Sequence, residues 1–162
     1  MIARLQGIAV AAVLAVSLPL LPAHAKSLKA SGTSSYVPVN SDVTPLSEEA
    51  NLLRTQSRAI LMADDPTLPF HLSNQDCAGT YLLDANGQVD TGRGYCDIID
   101  ADDDIWWLSW TTKGDDGTWE VMGGTGKYEG MTGTGTSKVL SQAADGRFAV
   151  RWEGTWEMKQ GR

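Results

Sequence analysis

Residues 147–158 read Arg-Phe-Ala-Val-Arg-Trp-Glu-Gly-Thr-Trp-Glu-Met. The even positions, Phe148, Val150, Trp152, Gly154, Trp156 and Met158, are all apolar, whereas the odd ones, Arg147, Ala149, Arg151, Glu153, Thr155 and Glu157, are polar except for one alanine. Successive side chains of a β-strand point to opposite faces. A period of two with one wholly apolar side therefore predicts a strand with one face in a core and the other in water. The same alternation places Trp106, Leu108 and Trp110 on one face, and Trp119 with Val121 on another.

Outward from this ribbon, Thr132–Gln142 and Arg147–Lys159 form a hairpin across Asp145-Gly146. Ile105–Lys113 and Thr118–Met122 pair across Asp115-Asp116-Gly117, and Cys77–Leu83 pairs with Gln88–Ile99 across Asn86-Gly87. Earlier, Thr33–Val43 reads as an extended segment whose Pro38 suits an edge or a bulge, and Leu52–Met62 reads as a strand of imperfect alternation. Thr44–Asn51 is a turn or a single helical turn. Ala63–Asp76 is a loop, because Pro66 and Pro69 cannot donate a full ladder. About eight strands joined by tight turns, with no long helix, fit an all-β domain, either a sandwich or a barrel. Closure removes exposed edges, so a single antiparallel eight-stranded barrel is the expectation. Its interior would hold Trp106, Trp110, Trp119, Trp152 and Trp156, and periodicity does not decide whether that interior is filled or keeps a cavity.

The N-terminus reads as an export signal: Arg4, an apolar run from Ile8 to Leu21, then Ala23-His24-Ala25 as a cleavage site. That run is about fourteen residues, too short to span a bilayer, and no cysteine near the site offers a lipid attachment point. The expected organisation is a signal peptide over 1–25, a flexible segment over 26–32 and one barrel domain over 33–162. The exported chain would be periplasmic or extracellular, with no transmembrane span after cleavage. Loss of Arg4 leaves 12 basic against 20 acidic residues, a net charge of −8 that repels phosphate backbones and excludes nucleic acid as a partner.

An oxidising compartment also predicts that the only two cysteines, Cys77 and Cys96, are paired. A two-residue Asn86-Gly87 loop sets Ala85 opposite Gln88, and continuing that register sets Cys77 opposite Cys96. The bond should stabilise the fold by about 3 kcal/mol on the chain-entropy account.

Between the tryptophan strands lies Gly123–Gly135, Gly-Gly-Thr-Gly-Lys-Tyr-Glu-Gly-Met-Thr-Gly-Thr-Gly. It fails as a phosphate loop. A Walker pattern ending at Gly126-Lys127 needs glycine where Val121 stands and a hydroxyl where Tyr128 stands, and a dinucleotide fingerprint from Gly124 meets Glu129 with no helix behind it. The glycines instead let a sheet bend.

Gly123-Gly124-Thr125-Gly126-Lys127-Tyr128, preceded by Trp119-Glu120-Val121 and followed by Gly130, Gly133 and Gly135, resembles the signature of the allene oxide cyclase and dirigent barrels. It is also similar to exported bacterial proteins related to that barrel, in which a cysteine pair and an Asp-rich turn precede the signature. The resemblance implies an eight-stranded barrel with a hydrophobic interior, in which the plant members bind or cyclise small hydrophobic molecules. No family catalytic residue matches a position in this chain. Lys127 is expected at a solvated rim and Tyr128 against the barrel wall.

Common catalytic sets are missing. His71, with Ser73 and Asp76, sits too close along one loop to make a triad. After cleavage His71 is the one histidine left, and with two oxidised cysteines it cannot supply a zinc set. Asp100, Asp102 and Asp104 space like a calcium loop, but Ile105 stands at the glycine position and Thr111 at the closing glutamate. The Asp97–Asp104 cluster is therefore read as an acidic turn, with no metal and no cofactor expected. Asp97 and Glu120 are conceivable inward carboxylates. The expected function is an exported barrel that binds a small hydrophobic molecule or serves as an envelope module. The alternative is an isomerase or cyclase that holds a flexible substrate in the barrel, and a third reading is a glycan binder with Trp107 as an exposed platform. Ligand identity and oligomeric state are left open by the sequence.

Overall fold

Eight antiparallel strands follow one another in chain order: β1 (Lys26–Pro45), β2 (Ala50–Ala63), β3 (Ser73–Asp84), β4 (Val89–Ile99), β5 (Ile105–Lys113), β6 (Asp116–Gly124), β7 (Thr132–Gln142) and β8 (Phe148–Met158). In this computed structural model, which describes residues 26–158, each strand pairs with the next and β1 pairs with β8, closing the barrel. The expected leader over 1–25 and the last residues of the expected domain, 159–162, lie outside the described residues. A single 3-10 turn, Gly126–Tyr128, is the one helical element among them.

The eight-stranded barrel is thus borne out, with corrections in detail. Residues 26–32 are not a loose segment: from Lys26 onward β1 pairs with β8, Leu28 opposite Trp156 and Ala30 opposite Gly154. Leu28 and Ala30 pack on the core, which ties down a stretch that reads as merely small and polar. The loop after β2 is also shorter than expected, because Ser73-Asn74-Gln75-Asp76 already belongs to β3 and pairs with Arg58–Leu61. Beyond Tyr36, β1 has passed the end of β8, so Asn40–Pro45 pairs with β2 alone after a register shift at Pro38, the bulge that proline favours.

The hairpins correct the turn chemistry. Asp84 pairs with Gln88 through a three-residue loop, Asp84 accepting from the amides of Asn86 and Gln88 at 2.8 Å each, with Gly87 left-handed at φ +78°. A shift beyond Leu82 then makes up the missing residue, so that Cys77 faces Cys96 as expected, although the loop that was to set the register is of another kind. Ala143–Arg147 and Asp100–Asp104 close in the same way, with Gly146 at φ +84° and Asp103 at φ +62°. Between β5 and β6 the turn is Gly114-Asp115 rather than Asp115-Asp116-Gly117. The Cys77–Cys96 disulfide forms across β3 and β4 with Cα atoms 4.1 Å apart and both residues buried.

Even positions of β8 and β5 do face inward, and large indoles fit there because glycines stand opposite them. Trp119 lies over Gly135 and Gly154, which are themselves a cross-strand pair; Trp110 lies over Gly79 and Gly94, another such pair; Trp152 lies over Gly32. A side chain at any of these would occupy the volume of a ring. One end of the barrel is plugged: Phe70, from the loop after β2, is fully buried against Trp106, Trp152 and Trp156, with ring centroids 6.0, 6.3 and 5.1 Å away.

At the same end the Gly123–Tyr128 segment closes on a buried aspartate. Thr125 exchanges hydrogen bonds with Ile105 at the start of β5, and Tyr128, with no exposed surface, donates its hydroxyl to Asp100 Oδ2 at 2.7 Å. Lys127 Nζ reaches Asp100 at 2.8 Å and Asp102 at 2.6 Å, while Asp100 Oδ1 caps the amides of Asp102 and Asp104. Burial alone would raise the Asp100 carboxyl, but donors from Lys127, Tyr128 and Asp102 outweigh it and hold it below the usual range. Lys127 therefore sits at the rim as expected, but as the lid of an ion pair rather than a free charge.

Replacing Gly135 with valine should lower stability by about 1–3 kcal/mol, because Trp119 cannot move out of the wall. Thr134→Val on the outer face should stay within about 0.5 kcal/mol, and thermal melting of the two variants checks the contrast. Asp100→Asn should cost about 1–3 kcal/mol. The Asp100 contribution is fully present above the ordinary carboxylate pKa of about 4 and is lost as pH falls through the depressed folded value. Acid titrations followed by circular dichroism should thus be shallower in Asp100→Asn than in the wild type.

Candidate functional site: the open half of the barrel

Plugged at one end by Phe70 and Tyr128, the barrel keeps a cavity of about 360 Å3 toward its other end, where the four hairpins lie. All five expected interior tryptophans, Trp106, Trp110, Trp119, Trp152 and Trp156, border it. At the hairpin end Tyr36 of β1 stacks on Phe148 of β8 with centroids 4.5 Å apart and planes 1° from parallel, and Tyr81 of β3 packs on Trp110 at 5.3 Å. Deeper, Trp119 and Trp156 meet at 4.7 Å. A filled core and a cavity, alternatives at the level of sequence, are both present, one at each end.

The two sides of the cavity differ in chemistry. β1 to β3 contribute Ser34, Tyr36, Thr55, Ser57, Gln75 and Tyr81 beside Leu53 and Leu61, whereas β5 to β8 contribute Leu108, Val139 and Val150 beside the indoles, with Thr111, Thr112, Ser137 and Gln142 nearer the hairpins. The polar residues of β1 to β3 follow from register. Tyr36 and Gln75 both pair with Ala59, one on each side, and Ser57 pairs with Cys77. Ser34 Oγ donates to Gln75 Oε1 at 3.3 Å, and Gln75 Nε2 lies 3.4 Å from Cys77 Sγ. The disulfide therefore faces the cavity and forms part of its wall.

Charged groups stay at the mouth. Among the described residues the only ionised side chains bordering the cavity are Asp115 and Asp145, both in hairpin turns. Asp97 and Glu120, conceivable inward carboxylates from the sequence, are exposed on the outer face. The reason is parity: Cys96 and Ile98 point inward on β4, as do Trp119 and Val121 on β6, so their neighbours point out. His71, Ser73 and Asp76 diverge: His71 Nδ1 meets the Ala63 carbonyl at 3.0 Å, Ser73 is buried, and Asp76 is outside with Arg58 at 3.0 Å. Asp100, Asp102 and Asp104 direct their oxygens to backbone amides, Tyr128 and Lys127. Trp107 is not a freely exposed platform; it is half-buried and lies over Gly123 on the outer wall.

The polar strip was missed at the level of sequence because Gln75 fell inside an expected loop. Ser73, Gln75, Cys77, Gly79 and Tyr81 do alternate inward, and that period was the available signal. Burial raises the Tyr81 phenol to about 12, and burial raises Tyr36 above its ordinary value as well, with Ser34 and Gln75 offsetting part of the effect. Both phenols are uncharged donors at neutral pH. A raised folded pKa contributes stability that is complete below the unfolded tyrosine value of about 10 and is lost as pH rises toward the folded one. Alkaline unfolding should accordingly begin above the ordinary phenol range, with Tyr81→Phe less sensitive to pH there; phenolate absorbance and circular dichroism measured together check this.

No protein-family model matches the chain, and no curated protein matches it either. Solved structures do. The pterocarpan synthase dirigent protein PsPTS1 superposes with a TM-score of 0.54 at 13% identity, over 84% of this chain and 97% of that one. The pterocarpan synthase dirigent protein GePTS1 gives 0.54 at 11% identity, over 91% and 98%. At such identities the likeness is one of fold, and it bears out the dirigent-type barrel implied by Gly123–Tyr128.

Proposed function

We propose that this protein is an exported barrel that binds one small, uncharged, mainly hydrophobic molecule in the open half of its interior. The observation that carries the reading is the cavity itself, about 360 Å3, walled by five indoles and entered between hairpins. That volume lies in the range of small-molecule sites, and its lining of aromatic groups with a few polar ones is typical of them. Transfer of an apolar ligand onto such a wall removes its surface from water, worth about 25 cal/mol per Å2 buried. The dirigent neighbours, described as pterocarpan synthases, support a barrel of this shape as a container for small organic molecules. Export is supported by the N-terminal leader pattern and by the Cys77–Cys96 bond, which an oxidising compartment preserves.

Binding is favoured over cyclase or isomerase chemistry by the groups available. The interior offers two phenols with raised pKa values, hydroxyls and the Gln75 carboxamide, none of which is a competent base near neutral pH, and the carboxylates of Asp115 and Asp145 stand only at the mouth. What it supplies is shape, stacking surface and hydrogen bonds.

Titration with N-phenylnaphthylamine, an uncharged fluorescent probe, should show saturable binding near one equivalent with energy transfer from tryptophan. Val139→Trp, which fills the cavity from β7, should weaken binding at least about tenfold, the loss of about 1.4 kcal/mol or more of contact, while the melting temperature is kept. Equal binding by both proteins would place the probe on the surface and remove the proposal.

A further inference from the structure

We propose that Tyr36, Ser57 and Gln75 on the β1–β3 wall read a hydrogen-bond-accepting oxygen, so that the preferred ligand is a neutral ketone, ester or ether of otherwise apolar character. This rests on the binding reading above and goes further by naming the polar feature of the ligand and the residues that recognise it.

Gln75 is only 4% exposed, and its carbonyl oxygen is already taken by Ser34. Its amide nitrogen carries two hydrogens, and among the described residues it makes one hydrogen bond, to Cys77 Sγ at 3.4 Å, a weak acceptor, with the Tyr36 phenol beside it. Tyr36 stands on the other side of Ala59 from Gln75, and Ser57 lies two residues before Ala59 on β2, so the three side chains share one inner patch. Facing and diagonal neighbours on a sheet lie about 5–8 Å apart, close enough for one ligand atom to meet two of them. The phenol of Tyr36 keeps its proton, since burial raises its pKa.

Three indole N–H groups lie deeper in the wall, without accessible surface of their own. Trp106, Trp152 and Trp156 are each at least nine-tenths buried, and none of their indole N–H groups has a partner among the described residues. A buried amide donor held only by a sulfur is complemented by a molecule that brings an acceptor oxygen, because a buried donor without a good partner is costly. Charge decides between neutral and anionic acceptors. No lysine or arginine borders the cavity among the described residues, and Asp115 with Asp145 at the mouth repels anions.

Two naphthalene dyes of similar size separate the possibilities: prodan, a neutral ketone whose emission reports hydrogen bonding to its carbonyl, and N-phenylnaphthylamine, which lacks an acceptor oxygen. The wild-type protein should bind prodan with red-shifted, hydrogen-bonded emission. Gln75→Leu and Tyr36→Phe should each weaken prodan about five- to tenfold, as expected for one buried hydrogen bond, and leave N-phenylnaphthylamine within about twofold. Tyr36→Phe, which keeps the ring and its stack on Phe148, decides the matter if Gln75→Leu does not fold. Unchanged prodan affinity, or an equal loss for both dyes with the melting temperature kept, overturns the acceptor reading and leaves cavity binding standing. Failure of both dyes to bind the wild type overturns both.

Discussion

An indole is nearly as broad as the space inside an eight-stranded barrel, and the whole structure depends on where its rings can lie flat. Trp119 rests on the Gly135–Gly154 pair, Trp110 on the Gly79–Gly94 pair, and Trp152 against Gly32. These glycines are not turn residues. They are strand positions from which every side-chain atom has been removed so that a ring from elsewhere on the wall can take the room. The loss of β-propensity at each is offset by the apolar area of the ring that covers it. Trp110 and Trp119 face each other across β5 and β6 and then part, one toward β3 and β4, the other toward β7 and β8. That divergence leaves room between them.

From this packing comes the asymmetry between the two ends. Where Phe70 and Tyr128 enter, the rings meet and the interior is closed; where only hairpin residues border it, a cavity remains. The cavity is oilier on one side because β5–β8 carry the indoles and aliphatics, with hydroxyls only nearer the hairpins, while β1–β3 carry hydroxyls, phenols and a carboxamide beside Leu53 and Leu61. The disulfide joins β3 to β4 within the lining, so it fixes the register of the wall that bears Gln75.

Much of this was legible. Two-residue periodicity in 147–158, 105–113 and 119–121 assigned the inward faces correctly, since parity in a strand leaves no other choice once one face is wholly apolar. Closure was inferred from strand count and holds. Strand ends were less legible where prolines intervene: Pro66 and Pro69 masked the start of β3 at Ser73, and with it Gln75. The Asn86-Gly87 pair suggested a two-residue loop, but the Asp84 carboxylate can cap two amides and so favours three residues, a competition that dipeptide preferences do not show. Residues 26–32 have no strong pattern of their own and are held by what β8 presents to them. The polar strip depends on register across three strands, which no single stretch of sequence contains.

The Asp100–Lys127–Tyr128 clasp stands apart from the cavity, at the sealed end. The most recognisable stretch of the chain therefore fastens a seam and does not border the cavity. Architecture and cavity lining are consequently written in different residues, so the lining can change without loosening the glycine-rich clasp.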